Sequence, residues 1–338
     1  MSKHCGRQSI RFENPIAIIT SASTVGPKEG AGPLAEYFDT ILPDSLCGED
    51  SWEKAESKIV KDTFEAAIAK SKVPIENIDY VISGDLLNQN SGSTFAIRNF
   101  AIPFWGIFGA CSTFGEGMSL GAIMIDGGFA NNILVGASSH FCASEKQFRF
   151  PLELGTQRTP TSTWTVTGQG SVILSNDIRE NCPRITAITT GKVIDMGITD
   201  VNNMGAAMAP AAFDTIYNHF TDLAIGPEYY DLIITGDLGY VGHDLVLQMF
   251  GEKNIDLEKN YSDCGMLIFD KNSQGTNSGG SGCACSAVTF AGYLYKKLQQ
   301  HQLNKILFVP TGALMSQISA QQGETIPGIA YAVAIENL

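Results

Sequence analysis

Two stretches of the chain repeat each other without a gap, and this repeat restricts the possible folds more than any other feature. Residues Asp62–Phe64 and Ile82–Asp85 align in register with residues Asp214–Ile216 and Ile234–Asp237. Two further pairs of matching blocks follow in the same order in both halves. Ala110–Ser112 matches Ala284–Ser286, and Asn131–Leu134 matches Asn304–Leu307. Several blocks in register indicate a duplicated unit. The sequence therefore predicts an N-terminal half at residues 1–180 and a C-terminal half at residues 181–338.

Short β-branched runs alternate with helical patterns along both halves. This alternation is typical of βαβ units and a largely parallel sheet, so the predicted fold class is α/β. One predicted helix carries Val60, Phe64 and Ile68 on one face and ends before Pro74. The predicted strands are Ile16–Thr20, Asp79–Ser83, Ile133–Gly136, Ser171–Leu174, Asp231–Thr235, Met266–Phe269, Ile306–Val309 and Ile329–Ile335.

The charge balance excludes several classes of function. The 338 residues contain 22 Lys and Arg against 35 Asp and Glu, which gives a net charge of −13. A surface of this sign repels polyphosphate, so the sequence predicts neither nucleic-acid binding nor a basic membrane-binding face. The eight cysteines show no spacing of a disulfide framework or a zinc site. With no apolar run typical of a signal peptide, we expect a soluble, cytoplasmic-type protein without a metal centre or a cofactor.

Cys111 is the strongest candidate for the functional centre. It follows the apolar run Ile102–Phe108, which is interpreted as a strand, and precedes a helical pattern that ends at Gly127. At a helix N-terminus the backbone dipole and free N–H groups favour a thiolate. A cysteine among small residues is more often a packing residue, but its place in a duplicated α/β unit favours a functional role.

A duplicated unit with a cysteine at a strand-to-helix turn resembles the thiolase family, above all its ketoacyl-synthase III-like branch. Lys72–Asp85 resembles the segment before the nucleophile, and Thr167–Ser175 resembles the Gly-Asp-Gly-Ala strand, with Gln169 in place of the Asp. The resemblance covers nearly the whole chain and implies layers in the order α-β-α-β-α. It also implies that the loop at Gly312 forms an oxyanion hole with the backbone N–H of Cys111.

Two partners of a catalytic cysteine are missing from the pattern. Condensing enzymes of that family carry a His where this chain has Thr235–Asp237, and an Asn where it has Gly282–Cys285. Without an imidazole to activate the thiol and a second donor to polarise a thioester, Cys111 lacks the arrangement of covalent catalysis. We infer that the pocket is kept and that the chemistry is lost.

Four motifs are similar to one branch of the thiolase-like proteins, the stage V sporulation protein AD family. They are Gly84-Asp85, Gly109–Met118, Met204–Pro210 and Gly236–Gly242. The resemblance implies a subunit that binds pyridine-2,6-dicarboxylate (dipicolinate), free or as its calcium chelate. It also implies a role in sporulation and spore germination, beside the membrane subunits of the SpoVA transport complex, peripheral to the forespore or spore inner membrane.

Under that implication the ligand would lie near Cys111. Candidate contacts are backbone N–H groups at Cys111, beside Cys283 and in the loop at Gly312, or a calcium ion that neutralises the dianion. Asp85 and Asp237 each follow a Gly at a predicted strand end. We expect them either to orient pocket groups or the metal, or to act as strand-terminal caps.

Two histidines are further candidates. His243 lies at a predicted helix start and is either a shifted general base or a polar helix-start residue. His140 follows the strand at Ile133 and either reaches the pocket or forms hydrogen bonds within a loop.

The segment Phe100–Phe108 is rich in aromatic residues. In thiolase-like proteins the corresponding strand pairs across a two-fold axis, and an apolar strand without a charged residue is expected where a partner covers its edge. We therefore expect a homodimer.

Three functions are compatible with the sequence. The leading hypothesis is a non-catalytic ligand-binding subunit of a transport complex. The second is a ketoacyl-synthase III-like acyltransferase that uses Cys111 with His243 or His140 as the base. The third is a scaffold without a ligand.

Overall fold

A computed structural model describes residues 3–148 and 158–338. Its strands are β1 (His4–Cys5), β2 (Ser9–Val25), β3 (Thr40–Ile41), β4 (Tyr80–Gly84), β5 (Phe104–Gly106), β6 (Asn132–Ser139), β7 (Trp164–Thr165), β8 (Gly168–Ser175), β9 (Arg184–Thr190), β10 (Leu232–Thr235), β11 (Tyr261–Asp263), β12 (Gly280–Ser281), β13 (Lys305–Val309), β14 (Thr311–Ala313) and β15 (Gly328–Glu336). Its helices are α1 (Pro27–Gly30), α2 (Trp52–Ser71), α3 (Ser91–Ile97), α4 (Thr113–Asp126), α5 (Phe141–Phe148), α6 (Met204–Leu223), α7 (Gly239–Gly251), α8 (Cys264–Ile268), α9 (Cys283–Val288), α10 (Tyr295–Gln299) and α11 (Gln317–Gln321). A π-helical segment, Thr289–Leu294, joins α9 and α10.

The strand order of the large mixed sheet shows the duplication. From one edge to the other the order is β11-β10-β13-β15-β9-β2-β8-β6-β4-β5. Outward from the central pair β2 and β9, β8 corresponds to β15, β6 to β13, β4 to β10 and β5 to β11. Three strands are parallel to one another in the N-terminal half, β4, β5 and β6, and three in the C-terminal half, β10, β11 and β13. The strands β8 and β15 run antiparallel to their neighbours. The predicted α/β fold with two duplicated halves is confirmed, and the boundary at residue 180 stays a prediction. The predicted largely parallel sheet is wrong, because the central strands β2, β8, β9 and β15 pair antiparallel with their neighbours and the sheet is mixed.

One side-chain contact recurs before the equivalent strands β4 and β10. Asp79 accepts hydrogen bonds from the backbone N–H groups of Asn131–Asn132 at 2.6 and 3.0 Å. Asp231 accepts the equivalent bonds from Asn304–Lys305 at 2.7 and 2.9 Å. Each carboxylate ties the start of one parallel strand to the start of its neighbour. The repeated motif therefore has a structural role in both halves.

Helix α4 forms a middle layer between the two halves of the sheet. It contacts β4, β6 and β8 on one side and β9 and β15 on the other, and it packs beside α9. Its side chains Phe114 and Met118 are fully buried. Gly115 is required for this packing, because a Cβ atom there would lie 2.9 Å from the ring of Pro310.

The outer layers are formed by helices on the two remaining faces of the sheet. Helix α2 contacts β2, β6 and β8, and α6 contacts β9 and β15 while packing against α7. Together with α4 and α9 between the halves, these contacts give the order α-β-α-β-α. The layered arrangement implied by the resemblance is thereby confirmed.

Most predicted strands lie within β2, β4, β6, β8, β10, β13 and β15, but the predicted strand Met266–Phe269 is wrong. Residues Cys264–Ile268 form α8 instead. Asp263 is the N-cap of this helix, and its carboxylate accepts a hydrogen bond from the backbone N–H of Gly265 at 2.9 Å. The cap, rather than the apolar pattern, decides the conformation here.

Within residues 3–148 and 158–338, no helix combines the length and the apolar composition needed to cross a bilayer.

Candidate functional site

Cys111 lies in the short turn that connects β5 to α4. The turn is held by its own hydroxyl groups, since the Ser112 hydroxyl donates to the Gly109 carbonyl and the Thr113 hydroxyl donates to the Ala110 carbonyl, both at 2.6 Å. Ala110 has a left-handed conformation with φ of 49°. The turn places Cys111 two residues before α4 and leaves only 7% of its surface exposed.

The Cys111 thiol contacts the carboxylate of Asp237, which follows β10 in the other half of the protein. Asp237 is buried and also accepts hydrogen bonds from the backbone N–H of Gly282 at 3.0 Å and the hydroxyl of Thr311 at 2.9 Å. One carboxylate therefore joins three separate segments. The structure brings together two residues, Cys111 and Asp237, that the sequence placed in the site on different grounds.

This environment disfavours ionisation of the thiol. Burial raises the pKa of Cys111 well above its usual value, and the nearby Asp237 carboxylate raises this pKa further. Burial also raises the pKa of Asp237 to about 6, although its hydrogen bonds oppose the shift. The expectation of a thiolate at Cys111 is therefore wrong, because loss of solvation and a like charge outweigh the helix dipole.

Cys283 and Gly312 close the site from the C-terminal half. The Cys283 thiol donates to the Ala110 carbonyl at 3.0 Å. A Cβ atom at Gly312 would lie 2.2 Å from the Gly109 carbonyl, so the two loops can approach only because residue 312 is a glycine. The N–H of Gly282, expected to be available for an anion, is already bonded to Asp237.

Asp85 is buried but does not line the pocket. Its two carboxylate oxygens accept hydrogen bonds from the backbone N–H groups of Leu87 at 2.9 Å and Ser93 at 2.7 Å. Burial raises the pKa of Asp85 against the effect of these bonds. The carboxylate acts as a cap that ties β4 to the start of α3. Of the two alternatives for Asp85, the structure shows the strand-terminal cap.

The two candidate histidines do not reach Cys111. His140 lies against the backbone carbonyl of Ser45, with Nε2 at 2.6 Å from the oxygen, and burial lowers its pKa. His243 stacks on the ring of Tyr261 at 4.7 Å and contacts the adjacent Asp244. The expectation that either could act as a base on Cys111 is not supported, since both side chains are held in other parts of the fold.

Asp263 is a buried carboxylate that sequence reasoning missed as part of this region. It accepts hydrogen bonds from the hydroxyl of Thr235 and from the backbone N–H groups of Leu238–Gly239, at 2.8 to 2.9 Å. Burial raises its pKa to about 7, and Asp237 adds to the shift. Asp263 braces the turn that carries Asp237. No motif marks it in the sequence, because the groups that it binds lie about 25 residues earlier in the chain.

Cys111 opens into a small apolar cavity, here called the inner pocket. Its volume is about 30 Å³, which is enough for one or two water molecules. Both halves contribute to its wall, and the lining residues are Leu86, Phe108, Ala110, Cys111, Ser144, Glu145, Phe148, Thr165, Met204, Ser281, Gly282, Ala313 and Met315.

A larger cavity of about 260 Å³, here called the outer chamber, shares four wall residues with the inner pocket. The shared residues are Leu86, Phe108, Phe148 and Met315. The residues that line only the outer chamber are Leu87, Asn88, Gln89, Asn90, Gln147, Ser316 and Gln317. No sequence motif marked Gln147 or Gln317, because they lie on short helices that are distant in the chain.

The described walls of the two cavities carry little charge. No Lys, Arg or His is among the described lining residues, and Glu145 is the one carboxylate there. The Glu145 carboxylate lies 3.2 Å from the guanidinium of Arg158. In the parts of the chain that the structure describes, no three His, Cys, Asp or Glu side chains converge as metal ligands.

The chain has a thiolase-like fold, and in its site a carboxylate, rather than an imidazole, lies beside the thiol. Solved structures share the fold. OleA from Xanthomonas campestris, as a variant with one substituted residue, has a TM-score of 0.63 at 15% identity and covers 97% of this chain and 100% of that chain. The 3-oxoacyl-[acyl-carrier-protein] synthase III from Aquifex aeolicus VF5 has a TM-score of 0.56 at 14% identity and covers 95% of this chain and 100% of that chain.

Sequence comparison identifies the family to which the chain belongs within this fold. The family model for stage V sporulation protein AD (SpoVAD) matches residues 6–336. Stage V sporulation protein AD from Bacillus subtilis (strain 168) is 44% identical over 337 residues, which cover 99% of this chain and 98% of that protein. The chain belongs to the SpoVAD family.

The buried carboxyl of Asp237 predicts a pH-dependent stability. Its pKa of about 6 in the folded protein exceeds the ordinary value of 3.8, so the folded state binds the proton more tightly than the unfolded chain. The stabilisation is therefore fully present below about pH 3.8 and is lost as the pH rises through about 6. Asp237→Asn cannot ionise. The free energy of unfolding of wild type minus that of the variant should fall by up to about 3 kcal/mol between pH 4 and pH 7.

Urea denaturation of both proteins across this pH range measures the difference. Taking the difference cancels the titration of groups that do not interact with Asp237, such as His219, whose pKa burial lowers to about 3. The titration of Asp263 remains part of the difference, because the Asp237 charge raises the pKa of Asp263. A difference that does not change with pH would show that Asp237 is already ionised at low pH in the folded protein.

Proposed function

We propose that this protein is a non-catalytic dipicolinate-binding subunit that acts beside the membrane subunits of the SpoVA transport complex. The observation that carries the proposal is the contact between Cys111 and Asp237. A buried thiol beside a carboxylate is a poor nucleophile, because the thiolate is the reactive form and both burial and the like charge oppose it. What is left at the old nucleophile position is a binding cavity.

The remaining histidines do not restore a catalytic base. Within the described residues, none lines the inner pocket or the outer chamber. His219 is buried elsewhere, between the hydroxyl groups of Thr189 at 2.7 Å and Tyr230 at 2.6 Å. Covalent catalysis needs a nucleophile with a base in hydrogen-bond reach. This arrangement supports binding rather than turnover.

The walls of the cavities suit a planar aromatic ligand. Phe108, Phe148 and Met315 supply apolar surface, and the outer chamber adds neutral amides. Specific small-molecule sites commonly combine an apolar wall with a few placed polar groups. Since the described walls carry no cationic side chain, the calcium chelate of dipicolinate, in which the metal offsets the ligand charge, fits better than the free dianion. SpoVAD family membership supports the link to sporulation. A role in germination and a place beside the spore inner membrane are part of the proposal.

The leading proposal predicts saturable, one-to-one binding of dipicolinate, measured by calorimetric titration with and without calcium. Asp85→Ala should weaken the affinity by about tenfold or more, because it releases the segment that forms one chamber wall. Cys111→Ala should weaken it less, since it removes one small wall group. Cys5→Ala, whose thiol lies outside both cavities, is the matched control. No heat of binding under either condition would reject the ligand and favour a scaffold.

The shared fold with condensing enzymes keeps acyl transfer as a second candidate function. Under the leading proposal, incubation with short-chain acyl-coenzyme A should leave the mass of the intact protein unchanged, because Cys111 is not ionised. The control is the same incubation with Cys111→Ala. An added acyl mass on the wild type that is missing from the variant would support the acyltransferase and contradict a purely binding role.

We also propose that the protein is a homodimer through the free edge of β5. This strand lies at one end of the sheet order. Trp105 on it is 53% exposed, and Phe108 directly after it is 47% exposed. An apolar sheet edge left in water is a site of association.

Sedimentation of the wild type should therefore give the mass of two chains. Trp105→Glu should shift the equilibrium towards the monomer, because it places a charge at the centre of the proposed contact. Val193→Glu is the control at another exposed apolar residue. A monomeric wild type would contradict the proposal.

A further inference from the structure

Two buried carboxyl groups are attached to one short turn. The turn, residues 235–239, leads from β10 into α7 and carries Asp237, whereas Asp263 ends β11. The Asp263 carboxylate accepts hydrogen bonds from the backbone N–H groups of Leu238 and Gly239, both at 2.9 Å. Both acids are buried. Asp263 therefore holds the backbone of the turn, while the Asp237 side chain joins the same turn to the junction between the two halves.

Neutral groups surround this pair of acids. Within residues 3–148 and 158–338, neither Asp237 nor Asp263 forms an ion pair with Lys, Arg or His. The thiols and phenols that interact with the pair come from five segments of the chain and are Cys111, Tyr240, Tyr261, Cys264, Cys283 and Cys285. Burial raises the pKa of each of them, so they are uncharged at neutral pH. A second negative charge on the pair therefore has no compensating cation.

The charged groups that act on these thiols and phenols from farther out are further acids. They are Glu56, Asp85, Asp244 and Asp270. The histidine of this region, His243, stacks on the ring of Tyr261 with the ring centroids 4.7 Å apart, and its own polar contact is with Asp244. The surroundings therefore oppose a second charge on the pair.

The charge on one acid also opposes ionisation of the other. The Asp237 charge adds to the burial that raises the pKa of Asp263 to about 7, while burial raises the pKa of Asp237 to about 6. Two buried carboxyl groups that repel each other lose their protons in two steps, and these steps belong to the pair. The second charge therefore enters the pair near neutral pH.

The hydrogen bonds indicate which of the two acids gives way. Asp263 accepts four bonds, from the Thr235 hydroxyl and from the backbone N–H groups of Leu238, Gly239 and Gly265. Asp237 accepts two, from the backbone N–H of Gly282 at 3.0 Å and from the hydroxyl of Thr311 at 2.9 Å. Repulsion between the carboxylates is relieved where fewer bonds resist it. The contact that yields is therefore the one between Asp237 and the junction.

We propose that Asp237 and Asp263 form a pH-sensitive switch at the junction between the two halves. While a proton remains on the pair, Asp237 holds the N–H of Gly282 beside the Cys111 turn. When both carboxyl groups are ionised, their repulsion displaces Asp237 and the bond to Gly282 is lost. Because Cys111 and Gly282 both line the inner pocket, its wall loosens at the higher pH. The switch belongs to the ligand-free protein and does not depend on the proposed ligand.

Carboxyl titration by ¹³C NMR tests the coupling within the pair. In Asp237→Asn the midpoint of Asp263 should fall by about one pH unit, because the neighbouring charge is gone. Asp85→Asn is the matched control. Asp85 is the equivalent buried acid of the N-terminal half, does not interact with Asp263, and its loss should leave this midpoint unchanged. A midpoint of Asp263 that is the same in the wild type and in Asp237→Asn would overturn the coupling and with it the switch.

Amide hydrogen exchange at Gly282 tests the movement. The protection factor, which is taken relative to the unfolded rate at the same pH, should fall by about tenfold or more between pH 5 and pH 8 in the wild type. Amides of the central strand β9 report global unfolding and serve as the reference. Asp263→Asn leaves at most one charge on the pair, so it should keep Gly282 protected at pH 8.

His243→Gln separates the acids from the histidine that stacks on Tyr261. This variant should retain the loss of protection at pH 8, and a response that disappears in it would assign the switch to His243 and contradict the proposal. Equal protection of Gly282 at both pH values in the wild type would also overturn the proposal. That measurement needs no substitution, so it stands even where a variant fails to fold.

Discussion

The buried carboxylate of Asp237 is the interaction on which the site depends. It accepts hydrogen bonds from Gly282 and Thr311 in the C-terminal half and lies against the Cys111 thiol of the N-terminal half. A single buried acid thus ties the turn before α4, the start of α9 and the strand β14 to one point. Because burial makes an unpaired carboxylate costly, each donor is needed, and the turns around it are held in place. The same carboxylate that organises the site also raises the pKa of its thiol.

The duplication shows how equivalent positions have taken different roles. Asp85 and Asp237 both follow a glycine at the end of an equivalent strand, and both are buried. Asp85 bonds to groups of the segment that follows it, whereas Asp237 also lies against Cys111 of the other half. One copy therefore holds the segment that lines the outer chamber, and the other holds the turns around Cys111. The pocket lies between two related but unequal halves.

The sequence was sufficient to predict the duplicated α/β fold and the position of Cys111, because repeated blocks and strand patterns are local signals. It failed at α8, where a single capping side chain, Asp263, overrides an apolar pattern. It also failed in the ionisation of Cys111, since the helix-dipole argument considers neighbours in the chain, whereas burial in the folded protein and then a carboxylate of the other half raise the pKa of the thiol. Gln147 and Gln317 line the same cavity in the folded chain. The sequence could not predict this, because the two residues lie on helices that are far apart in the chain.

The pairing of β2 with β9 at the centre of the sheet limits how a ligand can enter. Backbone hydrogen bonds join the two halves there, and α4 is packed between them. A hinge motion that separates the two halves would have to break the backbone hydrogen bonds between β2 and β9 and expose the apolar middle layer. Entry of the proposed ligand would instead depend on rearrangement of side chains that line the inner pocket, such as Phe148, Met204 and Met315, whose rotamers interconvert without moving the frame. The sheet and the middle layer therefore form a rigid frame, and adaptation to a ligand is left to side chains of the pocket wall rather than to closure of the two halves.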